Sequence, residues 1–168
     1  SDFHIKMKIK VFATGGTFDK IYNEFDGNLI FKETHLGRML YESYSKADID
    51  IETIMLIDSL YIKDYHRQEI LNKCKACKED RIIITHGTDT MVETAKLLGL
   101  EIKDKTIVLT GSIIPYSLVR SDALFNLGCA LAFAQTLPNG VYITMHGKIF
   151  SHDNVRKNKE TLEFEVIK

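Results

Sequence analysis

Short apolar runs alternate with longer amphipathic stretches along this chain, and turn-forming clusters divide them. Lys8 to Thr14, apolar through Val11, Phe12 and Ala13, predicts a first buried strand. Ile49 to Ile57, Arg81 to Thr85, Thr106 to Thr110 and Gly140 to Met145 predict four more core strands. Lys20 to Phe31 alternates polar and apolar residues around Asp26-Gly27, which predicts a hairpin flap of two short strands after the first core strand. Thr34 is read as the cap of a helix of about 10 residues, with Leu36, Met39 and Leu40 at helical spacing. Asp64 to Lys78 predicts a second helix with Tyr65, Ile70 and Leu71 on its apolar face. Asp89 to Leu98 predicts a third, closed by Gly99 as C-cap. A long helix is expected from about Ser121 to Gln135, burying Leu124, Leu127, Leu131 and Ala134. Gly147 opens a further short turn.

Strands that alternate with helices argue for an α/β fold: a mostly parallel sheet with helices on both faces, in the three-layer manner of flavodoxin and Rossmann folds. Four strands end in turns that combine a hydroxyl residue with glycine: Thr14-Gly15, Thr85-His86-Gly87, Thr110-Gly111-Ser112 and Thr144-Met145-His146-Gly147. Sheets of this kind bind ligands beyond the carboxyl ends of their strands, so these polar loops gather where a site is expected.

Composition narrows the function. The 168 residues contain no Pro-, Gly- or Ser-rich linker, so residues 1–168 are read as one domain. A net charge of -1 gives no reason to expect nucleic acid or a membrane surface as partner. No apolar run approaches the roughly 20 residues needed to span a bilayer. Ser1 to Lys6 lacks a signal-peptide layout, and three cysteines make no disulfide framework, so the expected compartment is the cytoplasm. Cys74 and Cys77 form a single CxxC late in a predicted helix, which is read as structural. His4, His35, His66, His146 and His152 show no ligand spacing. His86 is read as supporting its turn rather than acting as a base.

The chemistry concentrates in two loops. Gly15 and Gly16 permit a close approach to the main chain, and Thr17 follows at the lip of the sheet beside backbone N–H groups. Gly87, Thr88 and Asp89 repeat the idea with a carboxylate added. A hydroxyl nucleophile, a second hydroxyl beside a carboxylate, and N–H groups for an oxyanion together suit acyl transfer from an amide or ester. Asp89 would pair with an α-ammonium group.

Thr14-Gly15-Gly16-Thr17-Phe18 and Thr85-His86-Gly87-Thr88-Asp89-Thr90-Met91 resemble the two signature motifs of the L-asparaginase family. Gly111 to Pro115 and Asp122 to Leu127 are similar to its loop and long-helix opening. The resemblance covers nearly the whole chain but only the family's large N-terminal domain, and the C-terminal domain is expected to be absent. It implies that Thr17 forms an acyl-enzyme, that Tyr22 on the flap polarises it, and that Thr88 activates the nucleophile or water. Asp89 would hold the substrate ammonium and Ser59 its α-carboxylate, with Gly16 and Gly87 lining the pocket. The implied reaction is hydrolysis of L-asparagine to aspartate and ammonia, with L-glutamine as second candidate, in a homodimer or homotetramer, and no metal or cofactor is implied. Two alternatives stand beside it: a module that only binds a small amino acid, and an ammonia-generating amidotransferase subunit acting on tRNA.

The chain also departs from the family pattern. The family lysine near the end of the long helix aligns with about Leu137, so Lys157 or Lys159 is the expected substitute, brought in by a folded-back tail. Leu60 replaces the usual glutamine after the binding serine. Asp58 stands at a frequent glycine and is expected to share the ammonium contact. The acidic residue that a neighbour's C-terminal domain contributes has no source in this chain.

Overall fold

A computed structural model describes residues 7–168; the readings of Ser1 to Lys6 and of His4 lie outside the described residues. β1 (Lys8–Gly15) leads through a single 3-10 turn to a hairpin, β2 (Ile21–Tyr22) and β3 (Leu29–Ile30). α1 (Leu36–Glu42), β4 (Asp48–Ile57), α2 (Asp64–Ala76), β5 (Arg81–Thr85), α3 (Met91–Glu101), β6 (Thr106–Thr110), α4 (Ala123–Thr136) and β7 (Gly140–Met145) follow in alternation. β8 (Lys148–Ser151) returns antiparallel to β7, and β9 (Arg156–Lys157) pairs with β10 (Phe164–Glu165) in a small ribbon. The main sheet has the order β4-β1-β5-β6-β7-β8, parallel except for β8. The expected α/β fold is therefore observed.

Strand alternation divides the core. Phe12, Ile82, Ile84, Ile107 and Leu109 face α2 and α3, meeting Ile70, Leu71, Cys74, Met91, Ala95 and Leu98. Val11, Ala13, Ile83 and Val108 face the other way, onto Leu36, Met39, Ala123, Leu127, Ala130 and Ala134 of α1 and α4. Both faces are dry, so the central strands read as continuous apolar runs. β1 connects outward to β4 while β5 connects outward to β6, so the topology reverses between β1 and β5. The crevice at such a reversal is where ligands sit. Among the described residues no helix is long and apolar enough to cross a membrane.

Several sequence expectations need correction. α1 has 7 residues and begins after His35, while the Thr34 hydroxyl accepts the Leu36 N–H from one position further out. α2 ends at Ala76, with Cys77 as C-cap, and Tyr65 points to solvent because the buried stripe runs through Ile70, Leu71 and Cys74. Gly99 is no C-cap: it lies inside α3, and a side chain there would run into the ring of His152. On α4 the buried stripe is Ala123, Asn126, Leu127, Ala130 and Ala134, leaving Leu124 exposed and Leu131 at the margin. Small residues at that face let the helix approach the sheet closely, which a search for large apolar residues overlooks.

Candidate active site

Three loops converge over the topological reversal. Gly15 (φ 109°) and Gly16 (φ 75°) hold left-handed backbone angles that bend the chain out of β1. The Gly16 N–H donates to the Ile57 carbonyl at 3.0 Å, tying this turn to the end of β4. A Cβ on Gly16 would collide with the Gly87 backbone, and one on Gly87 would collide with Ser59. Gly16 thus touches Gly87 and Gly87 touches Ser59, and both glycines are obligatory: backbone fills the space at Gly16 and the Ser59 side chain fills it at Gly87.

Thr17 starts the 3-10 turn, half-buried at this junction. Its hydroxyl and its N–H have no hydrogen-bond partner among the described residues. Thr88 is buried, and its hydroxyl accepts from Lys157 Nζ at 2.8 Å. The same ammonium donates to Asp89 Oδ1 at 2.9 Å. Lys157 sits on β9, and Val155 and Phe164 anchor the ribbon into the core on either side of it. Lys159, the other candidate, is exposed. Ser59 is buried; its Oγ accepts the Thr90 N–H at 3.3 Å, and its carbonyl accepts the Thr90 hydroxyl at 2.7 Å. The Ser59 proton stays available for an anion.

Two expectations fare differently. Asp58 has one oxygen 2.6 Å from Lys20 Nζ while the other accepts the Leu60 N–H, so it is committed to the flap's root and to its own turn rather than left open for an ammonium. Burial raises the Asp58 pKa, but the Lys20 and Leu60 hydrogen bonds outweigh it, and the net shift is downward. Tyr22 lies half-exposed on the hairpin, its hydroxyl near Gly27, and makes no hydrogen bond to Thr17. Leu137 lies at the wrong end: its carbonyl accepts from Arg81 and Thr106, the first residues of β5 and β6, so α4 finishes at the opposite edge from the site. A lysine there could not reach Thr88, whereas Lys157 does.

Sequence reasoning passed over Thr90 and Lys20, and read a third contributor, His86, only as a support of its turn. Thr90, inside the second motif, anchors Ser59. Lys20 pairs with Asp58 across a sequence gap that carries no local signal. His86 is fully buried, with Nδ1 2.7 Å from the Gly87 carbonyl and Nε2 2.8 Å from Thr94 Oγ1. Burial, partly opposed by the Gly87 bond and aided by Arg67, pushes its pKa down to about 4, so the ring is neutral. The CxxC lies at the end of α2: burial pushes Cys74 up to about 12, and Lys105 Nζ donates to the carbonyls of both cysteines, capping the helix.

Residues 8–165 match the asparaginase N-terminal family. The chain belongs to the asparaginase family. The L-asparaginase of Thermococcus kodakarensis is 31% identical over 159 residues, 90% of this chain and 48% of the relative. The solved structure of the thermostable L-asparaginase from that organism superposes with a TM-score of 0.85 over 96% of this chain and 51% of its own. A probable cytoplasmic L-asparaginase from Campylobacter jejuni superposes with a TM-score of 0.78 at 33% identity, over 90% of this chain and 50% of its own. The D subunit of a glutamyl-tRNA(Gln) amidotransferase from T. kodakarensis is 30% identical over 147 residues, 83% of this chain but 33% of the relative. The chain spans about half the length of the asparaginases it matches.

Proposed function

We propose that this chain carries the reacting groups of an L-asparagine amidohydrolase. The observation that carries the reading is the ammonium of Lys157 set between Thr88 and Asp89, opposite an unencumbered Thr17. Thr17 Oγ attacks the side-chain amide carbon, and its proton passes to the leaving nitrogen. The C–N bond breaks and ammonia departs, leaving a threonyl ester. Water, oriented by the Thr88 hydroxyl under the charge of Lys157, then attacks the ester and restores Thr17. N–H groups of the Thr17 and Thr88 turns hold the oxyanion in both steps. The free oxygen of Asp89 receives the substrate ammonium, and Ser59 donates to its carboxylate. No cofactor or metal enters these steps. The family resemblance implies a homodimer or homotetramer as the working form.

The test is ammonia release from L-asparagine, L-glutamine and D-asparagine by wild type and Thr17→Ala. Turnover that disappears in the variant supports the reading. Asparagine that raises the melting temperature without any ammonia release would replace it with an amino-acid-binding module.

A further inference from the structure

Beneath the Thr88 turn lies a one-way chain of hydrogen bonds that the reaction above does not use. The Gly87 carbonyl can only accept, so His86 Nδ1, 2.7 Å away, carries the ring proton. Nε2 is then a bare acceptor, and the Thr94 hydroxyl donates to it at 2.8 Å. Thr94 Oγ1 in turn accepts from Arg67 Nε at 3.2 Å. Arginine has no acceptor capacity, so the direction is set at its origin: Arg67 to Thr94, Thr94 to His86, His86 to the Gly87 carbonyl. His86 and Thr94 are fully buried, which leaves no water to scramble the order.

The end of this chain is a peptide plane next to the reacting groups. In a trans peptide the carbonyl and the following N–H point in opposite directions. Fixing the Gly87 carbonyl onto the buried ring therefore turns the Thr88 N–H away from it, and that N–H has no acceptor among the described residues. Glycine at 87 allows the plane to rotate with little resistance. A rotated plane would offer a carbonyl where a developing oxyanion needs a donor.

We propose that Arg67, Thr94 and His86 form a positioning relay that locks the His86 tautomer and, through it, the Gly87–Thr88 peptide in the donor-out orientation. None of the three touches the substrate; each acts through the next. The inference rests on the amidohydrolase reading for its kinetic consequence, but the proton position on His86 is measurable without turnover.

The experiment pairs disruptive with conservative variants. His86→Phe removes the donor to Gly87, whereas the amide of His86→Asn can take the Nδ1 position. Thr94→Val keeps shape without a hydroxyl, and Thr94→Ser restores it. With L-asparagine, kcat is expected to fall by about 100-fold in His86→Phe, the loss of one oxyanion donor, and by about tenfold in Thr94→Val. KM should stay within about twofold in both, and the Asn and Ser variants should recover most of the rate. Imidazole 15N shifts should show the proton on Nδ1 in wild type and a tautomer mixture in Thr94→Val. A proton on Nε2 in wild type, or unchanged kcat in Thr94→Val and His86→Phe, would overturn the relay. If His86→Phe does not fold, the two Thr94 variants and the 15N spectrum decide. Absence of turnover in wild type would instead sink the amidohydrolase reading and leave the spectrum as the relay's test.

Discussion

The Thr17 turn and the Thr88 turn are made from similar residues, a strand end, glycine and threonine, yet they are held in opposite ways. The first is fixed through its backbone: Gly16 is tied to Ile57 and pressed on Gly87, while the Thr17 hydroxyl has no partner among the described residues. The second is fixed through side chains: Lys157 on Thr88 and Asp89, Thr90 on Ser59, His86 on the Gly87 carbonyl. A nucleophile has to move its proton and reach a substrate, so constraint belongs on the main chain beneath it. A group that polarises water has to stay put, so constraint belongs on the group itself. Motif similarity alone does not reveal this difference in how the two turns are held.

The contrast can be broken at several points. Thr17→Ala should lower ammonia release from L-asparagine below about a thousandth of wild type, since the variant lacks the hydroxyl that forms the ester. Thr88→Val and Lys157→Met should each lower kcat by about 100-fold, and the double variant should be little worse than either, because the two act as one unit. Strict additivity in that cycle would separate them. Gly16→Ala should destabilise the fold by roughly 2–4 kcal/mol in urea unfolding, combining a positive φ with a clash onto backbone. The same change at Gly37, which meets nothing within 4 Å, should be near neutral or slightly stabilising.

A smaller effect concerns pH. His86 has a folded pKa near 4 against about 6.5 unfolded, so the fold favours the neutral ring. That contribution is fully present above about pH 6.5, is lost as the unfolded chain takes up a proton on acidification, and stops changing below pH 4; it amounts to roughly 3 kcal/mol at most. The buried Asp19 carboxyl, pushed up chiefly by burial, acts in the opposite sense. Comparing wild type with His86→Asn between pH 7 and 4 cancels Asp19 and isolates the histidine. Lys20→Met should cost less than about 1 kcal/mol, because the Lys20–Asp58 pair is partly solvated.

Much of the core was legible because each of its strands is a local apolar run bounded by turns. Arg81–Thr85, Thr106–Thr110 and Gly140–Met145 have the boundaries their patterns predict. The flap was legible from Asp26-Gly27, and Gly27 holds the positive φ that such a turn requires. β8, β9 and β10 were not read, since two- to four-residue strands carry too little periodicity to register. The α4 face was misjudged where Ala123, Asn126 and Ala130, rather than Leu124 and Leu131, make the contact, and the α2 face where Cys74 rather than Tyr65 does. In the candidate site, the hydroxyls and carboxylates announced themselves by motif. Lys157 could be narrowed only to a pair from sequence, because its position depends on a ribbon whose anchors, Val155 and Phe164, pack into a core assembled elsewhere. The Arg67–Thr94–His86 chain was invisible for the same reason: it crosses from α2 to α3 to the end of β5.

The ribbon also sets an order in time. A ribosome makes the Thr17 turn early and the Thr88 turn some way into the chain, but Lys157 and its anchor Phe164 only near the end of the sequence given. At a synthesis rate of about 5–20 residues per second, roughly ten seconds or more separate the first hydroxyl from the ammonium that serves the second. A nascent chain can therefore pair β1 with β4 and β5 while its reacting groups remain unmatched, and a folding intermediate that has not docked the ribbon has a formed sheet but no charge on Thr88.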